Sequence, residues 1–198
     1  MTASGPLRHF PLRPWLLWTA GFLAFPIAGV AGTAVAGRVD GPLAALGGGA
    51  VAGLVIGAGQ VLASRRLLEP RTWIPATGAG MGIGLLLGAV TVDYGTSLAD
   101  LALMGALTGA VLGPAQAVAL PRGTRLRWVW ATAVPALWAL GWTTTTLGGI
   151  AVDEQFTVFG AYGAVTFSAL SGLLLLVLLP DHPAAGSPTP PAPVGARA

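Results

Sequence analysis

Two glutamines, Gln60 and Gln116, stand inside long apolar runs whose charged residues are confined to the ends and connections. A primary amide offers two N–H donors and a carbonyl acceptor. In hydrocarbon it is costly unless hydrogen-bonded, so it marks either a solute pathway or a bond between helices. Threonines recur near it in a W-x-x-x-T pattern, each copy following an arginine: Trp15 and Thr19, Trp73 and Thr77, Trp128 and Thr132. The favoured expectation is that each glutamine bonds a threonine of a neighbouring helix, for a gain of about 0.6–2 kcal/mol. Pathway lining is the alternative. A second polar set, Thr143 to Thr146 with Thr91, Tyr94, Tyr162 and nearby acids, reads first as hydroxyls bonded to their own helices. Its second reading is an acidic vestibule that attracts cations.

Other chemistry finds little support. The chain has no cysteine, and His9 and His182 lie outside the apolar runs without paired ligands, so no metal site and no cofactor are expected. Serines and threonines have no base beside them to make a nucleophile, which argues against an enzyme. All ten basic residues are arginine and sit between apolar runs. A nucleic-acid binder would gather them on one solvated face, so no nucleic acid is expected.

The elements that must position the glutamines are membrane helices. Only 9% of the 198 residues are charged, against about 25% in soluble domains. Apolar runs at about Trp15–Ala36, Pro42–Ser64, Trp73–Val92, Leu98–Leu120, Trp128–Ile150 and Phe156–Leu179 each approach the roughly 20 residues that cross a bilayer. The expected fold is therefore all-α: an integral membrane protein of six transmembrane helices. Pro26, Pro114 and Pro135 should bend the spans that hold them. The connections alternate in sign. Arg8, Arg13, Arg65, Arg66, Arg71, Arg122, Arg125, Arg127 and Arg197 fall on one side, and Arg38 alone accompanies Asp40, Asp93, Asp100, Asp153 and Glu154 on the other. The positive-inside rule then places both termini in the cytoplasm, in a bacterial plasma membrane, with Trp15, Trp18, Trp73, Trp128 and Trp130 as interfacial anchors. A cleaved leader ending near Ala36 is the weaker reading, because its apolar run exceeds the 7–15 residues of such segments. Residues 1–14 form a short cytoplasmic lead. Residues 180–198, rich in Pro and Ala, lack apolar periodicity and are expected to be a disordered tail.

Repetition organises the spans between. Gly49, Gly53, Gly57 and Gln60 recur as Gly105, Gly109, Gly113 and Gln116 at a constant offset of 56. Positions 0, 4, 8 and 11 share one helix face, so each even span carries a glycine stripe that ends in a glutamine. Thr77, Gly80, Gly84 and Gly88 share a face of the third span, and Thr132, Pro135, Ala139 and Thr143 one of the fifth. The expected unit is a helical hairpin written three times, at about 15–64, 73–120 and 128–179. In the third copy Ser168, Ser171 and Gly172 stand where the stripe would be.

The pattern G-x-x-x-G-x-x-Q, then arginines, then W-x-x-A-T is carried by Gly53, Gly57, Gln60, Arg65, Arg66, Trp73, Ala76 and Thr77. It resembles that of uncharacterised bacterial multi-spanning membrane proteins, and departs from it at Val61 and Ala117, where that group has tryptophan. The resemblance covers the repeat core and implies no activity. The expectation is a non-catalytic polytopic protein that packs, or binds lipid, a membrane partner or a second copy, through its glycine faces. A transporter for a small uncharged solute is the alternative.

Overall fold

The computed structural model describes residues 12–65, 67–124, 126–150 and 157–178, which hold helices and no strand. We number the helices α1 (Leu12–Ala36, with a 3-10 turn at Gly21–Leu23), α2 (Pro42–Ala63), α3 (Pro70–Thr91), α4 (Leu98–Ala119), α5 (Arg127–Leu147) and α6 (Ala161–Leu178). Residues 1–11 of the expected lead and the whole of the expected tail, with Arg8, Arg66, Arg125, Asp153, Glu154 and Arg197, lie outside the described residues.

Local sequence explains the helix ends. Pro42 and Pro70 occupy first-turn positions, where a missing N–H costs nothing. The Glu69 side chain accepts from the backbone N–H of Arg71, and Ser97 with Asp100 forms a reciprocal capping box on α4. Arg65 and Leu126 adopt left-handed backbone at the arginine-rich turns, and Asp93 and Tyr94 do so at the opposite end.

Five of these helices are long and apolar enough to cross a membrane; α5 is not among them. At 21 residues α5 measures about 32 Å, a bilayer's depth, but its tryptophans and threonines make it less apolar than its neighbours. The structure also corrects the last span. It does not start as helix near residue 156: Thr157, Val158 and Phe159 are buried in non-helical backbone, and the helix begins at Ala161.

Each helix packs on its neighbours in sequence, and α6 returns to α1, so the six close a ring. Along α2/α3, a β-carbon on Gly49 would stand 2.9 Å from the carbonyl oxygen of Met81, and one on Gly53 2.6 Å from that of Thr77. Gly57 faces Ile74 and Thr77. Along α4/α5, Gly105 meets Trp138, Ala139 and Trp142; Gly109 meets Val134 and Pro135; Gly113 meets Ala131 and Val134. The two seams correspond closely, at an offset of 56 in the even helix and 57 in the odd one. Backbone approaches this close need glycine and supply the dispersion contacts that hold helices together in lipid.

Gly80, Gly84 and Gly88 lie against Leu112, Thr108 and Met104 of α4. Gly78 and Gly82, not read from the sequence as packing residues, face Leu54, Ala50 and Leu46 of α2. Helix α3 therefore has two small-residue faces. At each of Gly49, Gly53, Gly57, Gly80, Gly84, Gly88, Gly105, Gly109 and Gly113 an added β-carbon would meet another helix of this same chain. Their faces are consequently taken, and a membrane partner would have to use other surface.

Candidate functional site

Near the arginine-rich end, the last turns of α2 and α4 bring Gln60 and Gln116 toward the start of α3. Both amides are buried, at 4% and 0% exposure. The Trp73 indole N–H donates to Gln60 Oε1 at 2.9 Å, and Trp130 Nε1 donates to Gln116 Oε1 at 3.2 Å. Gln116 Nε2 donates both to Thr77 Oγ1 at 3.0 Å and to Gln60 Oε1 at 3.3 Å. Thr77 in turn donates to the backbone carbonyl of Trp73 at 2.8 Å.

Only one set of amide orientations satisfies this network. An indole N–H can only donate, so the atom facing Trp73 must be the Gln60 oxygen and the atom facing Trp130 the Gln116 oxygen. The Gln116 nitrogen is thereby left to face two acceptors, the Gln60 oxygen and the Thr77 hydroxyl, whose proton is already committed. In a low-dielectric interior such a network is rigid because each member fixes the next.

A third indole completes the layer. Trp18 Nε1 donates to Ser171 Oγ at 3.0 Å, and Trp15 Nε1 to the carbonyl of Ala169 at 2.9 Å. Trp130 stands between Trp18 and Trp73, with ring centroids 6.5 and 6.0 Å away. Each odd helix thus sends one indole N–H to a polar side chain on an even helix: Trp73 to Gln60, Trp130 to Gln116, Trp18 to Ser171.

The expected Gln–Thr bond exists only as Gln116 to Thr77, between α4 and α3. Thr132 is exposed and donates to the carbonyls of Trp128 and Val129 in its own helix. The Thr19 hydroxyl is buried and has no hydrogen-bond partner. Neither joins the network. Trp73, Trp130 and Trp18 are buried rather than interfacial, whereas Trp128 is 69% exposed. Aligning Trp128 with Trp73 misplaces α5 by two residues; the contacts align Trp130 with Trp73. A two-residue slip rotates a helix by about 200°, enough to turn Thr132 outward. The signal that finds the true partners is an indole 13 or 14 residues after each glutamine.

Toward the other end, buried aromatic rings of α1, α5, α6 and the stretch before α6 pack together. Phe159 lies 4.7 Å from Trp138 and 5.2 Å from Phe25, and Phe167 lies 5.0 Å from Trp138. Thr143, Thr144, Thr145 and Thr146 all donate to carbonyls one turn back in α5. Thr145 also accepts the N–H of Gly163, fastening α6 to α5. Their protons are not turned toward a vestibule. Among the described residues no cluster of His, Cys, Asp or Glu could hold a metal. Comparison with protein-family models, curated proteins and solved structures gives no match.

Proposed function

We propose that this chain is a non-catalytic polytopic membrane protein. In this reading it crosses the bilayer six times as three tandem hairpins, with its interior given to packing rather than conduction. The observation that carries the reading is the indole–amide layer, in which the amides of Gln60 and Gln116 are engaged with Trp73, Trp130 and Thr77 across four helices. A pathway needs polar groups that exchange partners with a solute. Here the Gln116 amide and the two indoles donate to neighbouring side chains, and buried aromatic rings pack together toward the other end. With its glycine faces consumed internally, the protein would meet lipid or partners through its outer surface. The likeness of its repeat core to uncharacterised bacterial multi-spanning membrane proteins supports a plasma-membrane setting.

Proteoliposomes loaded with an osmolyte test the sealed interior. On exposure to a glycerol or urea gradient, their swelling rate by stopped-flow light scattering should equal that of protein-free vesicles. Protein-dependent acceleration would move the transporter reading to first place.

Orientation is tested by single cysteines, since the chain has none of its own. Ala99 is exposed at the acid-bearing end, and a β-carbon on Gly123, at the arginine-rich end, would meet no atom within 4 Å. An impermeant thiol reagent on intact cells should label Ala99→Cys and spare Gly123→Cys. The reverse pattern would place the termini outside.

A further inference from the structure

The third seam of the ring, α6 against α1, is not built like the other two. Pairing Trp18 with Trp73 and Trp130 places Pro26 where α3 has Met81 and α5 has Trp138, and places Val30 opposite Leu85 and Trp142. On the even side, Gly160 occupies the position of Gly49 and Gly105. In the first two seams that glycine lies on the partner's backbone. In the third, Gly160 precedes the start of α6, and the glycine contact with α1 comes from Gly172, against Trp15 and Trp18. The 3-10 turn at Gly21–Leu23 and Pro26 just after it interrupt regular α-geometry where the seam parts.

The parted half encloses an opening of about 510 Å3 among the described residues. Its walls include Phe25, Pro26, Gly29, Val30 and Thr33 of α1 and Phe159 from the approach to α6. Val30 is 73% exposed, so the opening faces outward, away from the axis. Along α1 the lining runs from Phe25 to Ala34, about 14 Å of helix, or half of a hydrocarbon core some 30 Å thick.

We infer that this lateral groove, between α1 and the stretch of Val158 to Gly160 that leads into α6, is a binding site for one acyl chain of a membrane lipid, entered from the leaflet at the acid-bearing end. The inference rests on the membrane reading above and adds a ligand to it. Water does not suit walls that are almost wholly apolar, because a buried water needs two to four polar partners. An empty groove would forfeit the dispersion contacts of its whole lining. A partner transmembrane helix would need a track running the depth of the bilayer, whereas this one ends halfway, at the depth of a single leaflet. A flexible hydrocarbon chain meets all three conditions, and the medium supplies it.

The test is native mass spectrometry of the full chain after reconstitution in phosphatidylcholine vesicles and gentle detergent extraction. Wild type should retain a phosphatidylcholine molecule. Gly29→Leu should fill the groove: a β-carbon there meets only Val158 Cγ1, at 3.4 Å, so the backbone need not move. Val30→Trp should cover the mouth from an exposed position. Each is expected to lower retention about tenfold relative to Leu62→Trp, whose site is 77% exposed on α2. Equal retention in all four proteins, or none in wild type, would overturn the site. A wild-type dimer lost in Gly29→Leu would assign the groove to a second copy and overturn the lipid. Melting curves identify a variant that fails to fold, and the other variant then decides. Failure to float with vesicles would defeat the membrane reading itself, while flotation without retained lipid defeats only the groove.

Discussion

Gly109→Ala is expected to lower the melting temperature in detergent by roughly 2–12 °C, and Gly109→Leu to prevent folding. The added β-carbon would lie 2.5 Å from Pro135 Cα, 2.8 Å from Pro135 N and 2.8 Å from the Val134 carbonyl oxygen. All three are backbone atoms, so no rotamer change relieves the contact and α4 and α5 must separate. Overpacking of this kind costs about 1–3 kcal/mol, or about 2–4 °C per kcal/mol in a chain this long. Separation also withdraws dispersion contacts along the seam, with no hydrophobic effect in lipid to replace them. The control is Gly47→Ala, on the same kind of helix with nothing within 4 Å of the new atom. Alanine there should be neutral or stabilising by up to about 1 kcal/mol, the ordinary helix preference over glycine. Melting of Gly109→Ala and Gly47→Ala at one temperature, by tryptophan fluorescence or size-exclusion monitoring, would refute the close seam.

How far the sequence could be read depended on the rigidity of each signal. Glycine is the only residue that admits such close backbone contact, so the stripes at 49, 53, 57 and 105, 109, 113 announced close helix packing, but not that each would lie against the first helix of the next hairpin. Charge is likewise costly inside lipid, so the connections could be sought where arginine and aspartate stand, although the start of α6 was not found that way. Tryptophan is ambiguous. It can anchor at an interface with its N–H in water or pack inside the protein, and sequence does not say which. Trp128 took the first role and Trp130 the second, two residues apart. That ambiguity hid the donors of the polar layer and set α5 in the wrong register. The third seam stayed hidden for a related reason: Pro26 and Val30 announce no partner, and the buried run Thr157–Phe159 resembles the start of an apolar helix. It is placed by burial alone, with Thr157 held against Gly32 and Gly48.

Of the two glutamines, Gln116 is expected to matter more. Replacing Gln116 with leucine leaves the Trp130 N–H without its acceptor, and removes the donor to Thr77 and one of two donors to Gln60. Replacing Gln60 with leucine strands the Trp73 N–H, but Gln116 keeps both Thr77 and Trp130. A buried donor left unmade costs about 1–3 kcal/mol. In membrane proteins the net cost is smaller, often near 0.6 kcal/mol, because the unfolded state in lipid also finds partners. Gln60→Leu should therefore cost about 1 kcal/mol and Gln116→Leu about 2 kcal/mol. Adding Trp130→Phe to Gln116→Leu removes the stranded N–H at the expense of some packing. The loss in the double variant should then be smaller than the sum of the two single losses, a coupling that a double-mutant cycle reads directly. If the amides instead line a pathway, the stability ranking disappears. Both leucine variants then melt with wild type while vesicle flux is lost, and that outcome would retire the structural reading of the indole–amide layer.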